Sequence, residues 1–196
     1  MTPVMQRDWV AKWSAHNAHH TETAPAYACG AHVSPKASMD QAVLAQNSKR
    51  LDARSGVCLL IVVYVPVERL GAIIHLWRND ELWPEQQELI RNVFTQFPQL
   101  CKHPYVGFVS NKKVERQQPR PAIQAKELVR SLAPTANIEN LWVNSPDHPD
   151  FEPESLEAEL LALKCPMSVE VCLATCTGKL LIADDYGEPR IIELHE

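Results

Sequence analysis

R-S-G-V-C-L-L-I-V-V-Y-V-P-V-E-R-L-G-A-I-I-H-L-W-R-N-D, residues 54–80, is the most apolar stretch of the chain, and its reading decides the fold. Val, Ile and Tyr dominate its first half, as a pleated and well-buried position favours. Two β-strands are expected, over residues 57–65 and 71–77, joined by Pro66–Arg69. With a four-residue loop, Val65 faces Leu70 and Leu60 faces His75. Cys58 then lies diagonal to His75 on the same face, ~7–8 Å away at the backbone. A thiol and an imidazole therefore meet at one end of a sheet.

Outward from this hairpin the pattern alternates. Pro84 suits a first helical turn, and Leu89, Ile90, Val93, Phe94 and Phe97 recur on one face of a helix that stops near Pro98. A strand is expected over 105–109, then a polar, locally basic loop through residue 121. Ala125, Leu128, Val129 and Leu132 mark a second helix over 122–133. A short strand at 141–143, a third helix at 154–164 and antiparallel runs at 168–174, 180–183 and 191–194 complete the order. This is α+β, with a mixed, largely antiparallel β-sheet and flanking helices, and without the regular winding of a βαβ fold.

Residues 1–45 read as a partly flexible N-terminal extension, and 46–196 as one domain. Trp9 and Trp13 fit a short helix at 8–14, and Ser38 with Gln41 fits the start of another helix over 38–46. At 196 residues, 45% of them hydrophobic, the chain suffices for one sizeable core. A net charge of −5 opposes general nucleic-acid binding, which needs a basic stripe. The longest apolar run has strand length, so no membrane insertion is expected. Six cysteines without a C-x-x-C favour a reduced, cytoplasmic chain. Cys101, His103, Cys172 and Cys176 match no zinc spacing, and no metal is expected.

A cysteine becomes a nucleophile when an imidazole takes its proton, because the thiolate is the reactive form. It then attacks a carbonyl carbon while backbone N–H groups stabilise the oxyanion. Gly56, just before the thiol, allows the backbone turn that such donors need. A Cys58 paired with His75 is expected to titrate below the free value of ~8.5. The plainer alternative is a small buried hydrophobe beside a satisfied core histidine.

The stretch from Ser55 to His75 resembles the signature of CheD-type chemoreceptor glutamine deamidases. In that family a Pro, a Gly and a His follow the Cys after eight, thirteen and seventeen residues, as Pro66, Gly71 and His75 follow Cys58 here. Residues 168–182, with their T-G-K-L-L turn, resemble the family's closing hairpin. The likeness spans residues 50–184 at the level of the fold and is specific in the first hairpin. Where the family has Gly-Ser before the Cys, this chain has Gly56-Val57. Asp52 stands in place of the Thr that orients the His, and Val109-Ser110-Asn111 in place of a pocket-forming Gly-Gly. A Gly-x-x-Asn at the second helix is absent around 122–126.

The resemblance implies a CheD-like, cysteine deamidase-like fold and hydrolysis of the side-chain amide of a protein glutamine, with release of ammonia. Cys58 is the implied nucleophile, His75 the base and Asp52 the acceptor that orients the ring. Gly56, Val57, Ser110 and Asn111 are the implied substrate contacts, and no metal or organic cofactor takes part. The implied partners are a methyl-accepting chemotaxis receptor as substrate and a CheC-type phosphatase, in a bacterial cytoplasm. A toxin branch of the same catalytic fold acts on host proteins. A non-catalytic CheD-like binding module, docking a receptor or phosphatase, is the alternative favoured by the changed glycines and Asp52.

Overall fold

The computed structural model describes residues 27–29, 36–37, 39–47, 50–55, 58–78, 80–111, 119–143, 169–184 and 190–194. Its strands are β1 (Tyr27–Cys29), β2 (Lys36–Ala37), β3 (Gln41–Gln46), β4 (Leu51–Ser55), β5 (Leu59–Val65), β6 (Leu70–Leu76), β7 (Tyr105–Asn111), β8 (Asn137–Val143), β9 (Val169–Ala174), β10 (Lys179–Asp184) and β11 (Arg190–Glu193). Helix α1 spans Pro84–Gln96 and α2 spans Arg120–Leu132. The α+β class expected from the sequence is the observed one.

The strands form two sheets. One has six strands in the order β1-β3-β6-β5-β7-β8, the other five in the order β11-β10-β9-β4-β2. Most pairs are antiparallel; β7 with β8 and β2 with β4 are parallel. β5 and β6 are at the centre of the larger sheet and buried along their whole length. Leu59, Ile61, Val63 and Val65 pack toward Ile90, Val93 and Phe94 of α1 and Ala122, Ala125 and Val129 of α2. Leu60, Val62 and Tyr64 face the second sheet through Leu51, Ala53, Val171 and Leu173. Burial on both faces explains the unbroken apolar run, because a strand exposed on one side would alternate with polar residues.

The hairpin has the expected register, with Val65 opposite Leu70 and Leu60 opposite His75. Its turn closes by a hydrogen bond from the Arg69 N–H to the Pro66 carbonyl at 3.1 Å. α1 begins at Pro84, and the Trp83 N–H donates to Gln86 Oε1 at 3.1 Å.

One expectation fails. Residues 41–46 form no helix: β3 pairs with β6 from Gln41↔His75 to Gln46↔Leu70. Ala, Leu and Gln favour helix locally, but the apolar edge of β6 offers Ala42–Ala45 burial on both faces, and tertiary context wins. The sheet therefore includes residues before 46. The expected helices at 8–14 and 154–164 lie outside the described residues. Among the described residues, no helix is long and apolar enough to cross a membrane.

The sheets approach closely at the β9–β10 turn. Tyr64 donates its hydroxyl to the Thr175 carbonyl at 3.1 Å, and Gly178 turns the chain at φ 67°. A Cβ at Gly178 meets the Leu194 carbonyl at 2.9 Å, while the Leu194 N–H donates to the Gly178 carbonyl at 2.7 Å. Gly178→Ala is expected to cost at least about 1–2 kcal/mol from the left-handed conformation alone. Urea unfolding should show a lowered midpoint with an unchanged slope.

Candidate active site

Sheet alternation and a short hop between sheets assemble this site. Leu51 and Ala53 point into the inter-sheet core, and β4 ends at Ser55, on the same face. Three residues later Cys58 begins the approach to β5 in the other sheet, with its thiol against the Ser55 hydroxyl. His75 comes from β6, opposite Leu60, and points to the same inter-sheet face as Ile73. Cys58 is 7% exposed, and His75 and Ser55 are each 5% exposed.

The ring of His75 is oriented by backbone. Nδ1 lies 3.2 Å from the Ala37 carbonyl oxygen on β2. A carbonyl only accepts, so Nδ1 carries the proton and the neutral ring keeps its lone pair on Nε2. Nε2 is buried and has no hydrogen-bond partner, so the thiol and the ring are not directly bonded. The Ser55 hydroxyl is likewise buried without a hydrogen bond of normal geometry. It is nevertheless near enough to favour the Cys58 thiolate.

Burial pushes the Cys58 thiol up, and Asp40 adds to this. The Ser55 hydroxyl and the backbone N–H and guanidinium of Arg78 pull it back without prevailing. Burial also holds His75 below its usual range, against the Ala37 hydrogen bond and the Asp40 charge. The expectation of a lowered thiol pKa is thus overturned. Desolvation disfavours both charged forms, so the resting pair is thiol and neutral imidazole.

Sequence reasoning missed three of these groups. Arg78 is buried and donates from Nη1 to Ser110 Oγ at 3.0 Å, joining the end of β6 to β7. Asp40 adopts φ 53° before β3 and accepts at Oδ1 from the Trp77 N–H at 2.9 Å and from Gln86 Nε2 at 2.7 Å. Ser55, three residues from the cysteine, was visible only as part of a loop motif. A charged residue just past an apolar strand is ordinary, and nothing in the sequence singles out Arg78.

Asp52 is placed differently from expectation. Its carboxylate pairs with Arg50, and its backbone faces Cys172 across β9. It alternates with the inward Leu51 and Ala53 and so sits on the other face of β4, away from the ring. The orienting acceptor is the Ala37 carbonyl instead. Ser110 is buried on β7 as the partner of Arg78. Gly56 and Val57 lie outside the described residues, and of Asn111 only the strand pairing with Val143 is described. Cys58, Cys101, Cys172 and Cys176 are free thiols, and burial raises Cys172 far more than Cys58. Among the described residues, no three His, Cys, Asp or Glu side chains gather to hold a metal.

No protein-family model matches the chain, and no curated protein is significantly similar to it.

The depressed His75 pKa has a thermodynamic consequence. The unfolded chain binds this proton more readily than the folded one, so the contribution of His75 is complete above about pH 6.5 and declines as pH falls below it. Denaturant midpoints measured between pH 7.5 and pH 5 should fall toward acid. His75→Gln should flatten that slope.

Proposed function

We propose that this protein is a cysteine-dependent amidohydrolase acting on the side-chain carboxamide of glutamine in a protein substrate. The observation that carries this reading is the hydrogen bond between His75 Nδ1 and the Ala37 carbonyl, which leaves Nε2 buried and unpartnered on the inter-sheet face, at the end of the sheet where Cys58 leads into β5. Nε2 takes the thiol proton as Sγ attacks the carboxamide carbon. The proton passes to the leaving nitrogen, ammonia departs and a thioester remains. Water then cleaves the thioester, giving glutamate and restoring the thiol. The Arg78 N–H and guanidinium, both acting on Cys58, favour the thiolate during attack.

The resemblance to CheD-type deamidases guides the choice of substrate. A methyl-accepting receptor is the proposed target and a CheC-type phosphatase the proposed partner; a host protein is the other target within the same chemistry. A reducing cytoplasm suits the four described free thiols. A second reading, a non-catalytic binding module, draws on the burial that opposes charge on both Cys58 and His75.

Incubation with a target should release ammonia and add about one mass unit per modified glutamine, as NH2 becomes OH. Cys58→Ser should abolish the change while retaining the fold. His75→Gln should lower the rate ~10²–10⁴-fold, the usual worth of a positioned base. Equal binding of a chemotaxis partner by wild type and Cys58→Ser, with no mass change in that partner, is the outcome that supports the binding module instead.

A further inference from the structure

Two orphaned polar atoms flank the candidate nucleophile. Ser55 Oγ and His75 Nε2 are both buried and both without a hydrogen-bond partner. Buried polar groups in native proteins are nearly always satisfied, and exceptions concentrate at working sites. Both residues lie on the inter-sheet face at the same end of the sandwich. The ring of His75 reaches across to Ala37, which is level with Ala53 of β4. Ser55 is two residues further along that strand on the same face, ~7 Å away at the backbone. The Cys58 thiol is against the Ser55 hydroxyl.

The two orphans have different hydrogen-bonding capacities. With Nδ1 protonated toward Ala37, Nε2 of the neutral ring can only accept. The hydroxyl of Ser55 can donate. With Nε2 reserved for the thiol proton, a ligand that satisfies Ser55 must offer an acceptor next to a carbon that Sγ can reach. We propose that Ser55 reads the substrate carboxamide, its hydroxyl donating to the carbonyl oxygen while His75 Nε2 remains the acceptor for the thiol proton. This assigns Ser55 as a specificity-determining group and rests on the reading of Cys58 as the nucleophile. Other charges facing the thiol, Asp40 before β3 and Arg78 after β6, act on Cys58 irrespective of the amide.

The test compares two neutral alkylating probes on the full-length protein, iodoacetamide and iodomethane. In each, Cys58 Sγ displaces iodide from carbon, and only the first carries a carboxamide. Rates are read by mass spectrometry on the Cys58 peptide. Their ratio cancels the thiolate fraction, so changes in thiol pKa do not enter. The wild-type ratio should exceed that of glutathione. Ser55→Ala should lower it about 3- to 10-fold, the worth of one neutral hydrogen bond, and Ser55→Thr should retain it. A ratio unchanged by Ser55→Ala overturns the proposal. So does a lowered melting temperature in Ser55→Ala, because removal of an unpartnered buried hydroxyl should not destabilise the fold. Deamidation with an unchanged ratio sinks the role of Ser55 alone. A Ser55-dependent ratio without deamidation keeps the carboxamide pocket and sinks the enzyme.

Discussion

The pairing of Leu60 with His75 is the constraint on which the site depends. It follows from the four residues Pro66–Arg69 and from the demand of β5 and β6 for burial on both faces. A slip of one residue would turn Ile61, Val63 and the rest of the helix-facing set toward the second sheet. It would also exchange the face of one strand against the other and separate Cys58 from His75. The apolar residues thus fix the chemistry: the core tolerates one register, and that register brings the thiol and imidazole to one end. Phe108, Ile90 and Phe94 back the hairpin on the helix side. Leu51, Val171 and Leu173 back it on the other.

The same burial sets the electrostatics. Removing Cys58 and His75 from water penalises thiolate and imidazolium alike, and neither Asp40 nor Arg78 cancels the penalty. A resting ion pair, as in an exposed thiol–imidazole couple, does not form here. On the proposed amidohydrolase reading, charge appears only as a substrate enters, when the proton moves from sulfur to Nε2 and onward to the leaving nitrogen. A group that offers hydrogen bonds to a developing charge is worth more in such buried surroundings than in water. Arg78 is fixed near the thiol in this way, its guanidinium donating to Ser110 on β7, the neighbour of β5.

The hairpin was legible because an unbroken β-branched run, a Pro-containing four-residue link and a second apolar run leave few alternatives. The helices at 84–96 and 120–132 were legible for a similar reason, their apolar residues recurring at helical spacing. β3 was not, because Q-A-V-L-A-Q is locally helical and becomes a strand only where β6 supplies a partner. β4 was missed for want of length, and its polar Asp52 and Arg54 hide the inward Leu51 and Ala53. That omission misplaced Asp52. Counting residues back from the cysteine put a carboxylate near the ring, whereas alternation along β4 turns it toward Arg50. The orienting group is a backbone carbonyl, which no side-chain motif can announce.

A site built between two sheets places particular demands on the segment that joins them. β4 belongs to the five-stranded sheet and β5 to the six-stranded one, yet only three residues separate Ser55 from Leu59. The residues on either side of that link therefore belong to facing sheets. Ser55 and Cys58 stand at the two ends of the link, and their proximity is a property of the connection and not of strand pairing. His75 is held from both sides as well, its backbone in β6 and its ring bonded to β2 of the opposite sheet. Any change in the spacing between the sheets then moves the ring and the hydroxyl relative to the thiol together. The close packing of Tyr64 and Gly71 against the β9–β10 turn, where a Cβ on Gly71 would come within 2.5 Å of Thr175 Cγ2, fixes that spacing at the far end. Tight contact at one end and orphaned polar atoms at the other are two aspects of one geometry: the sheets are pinned where the core is sealed and leave unmatched hydrogen-bonding groups at the end that holds Cys58 and His75.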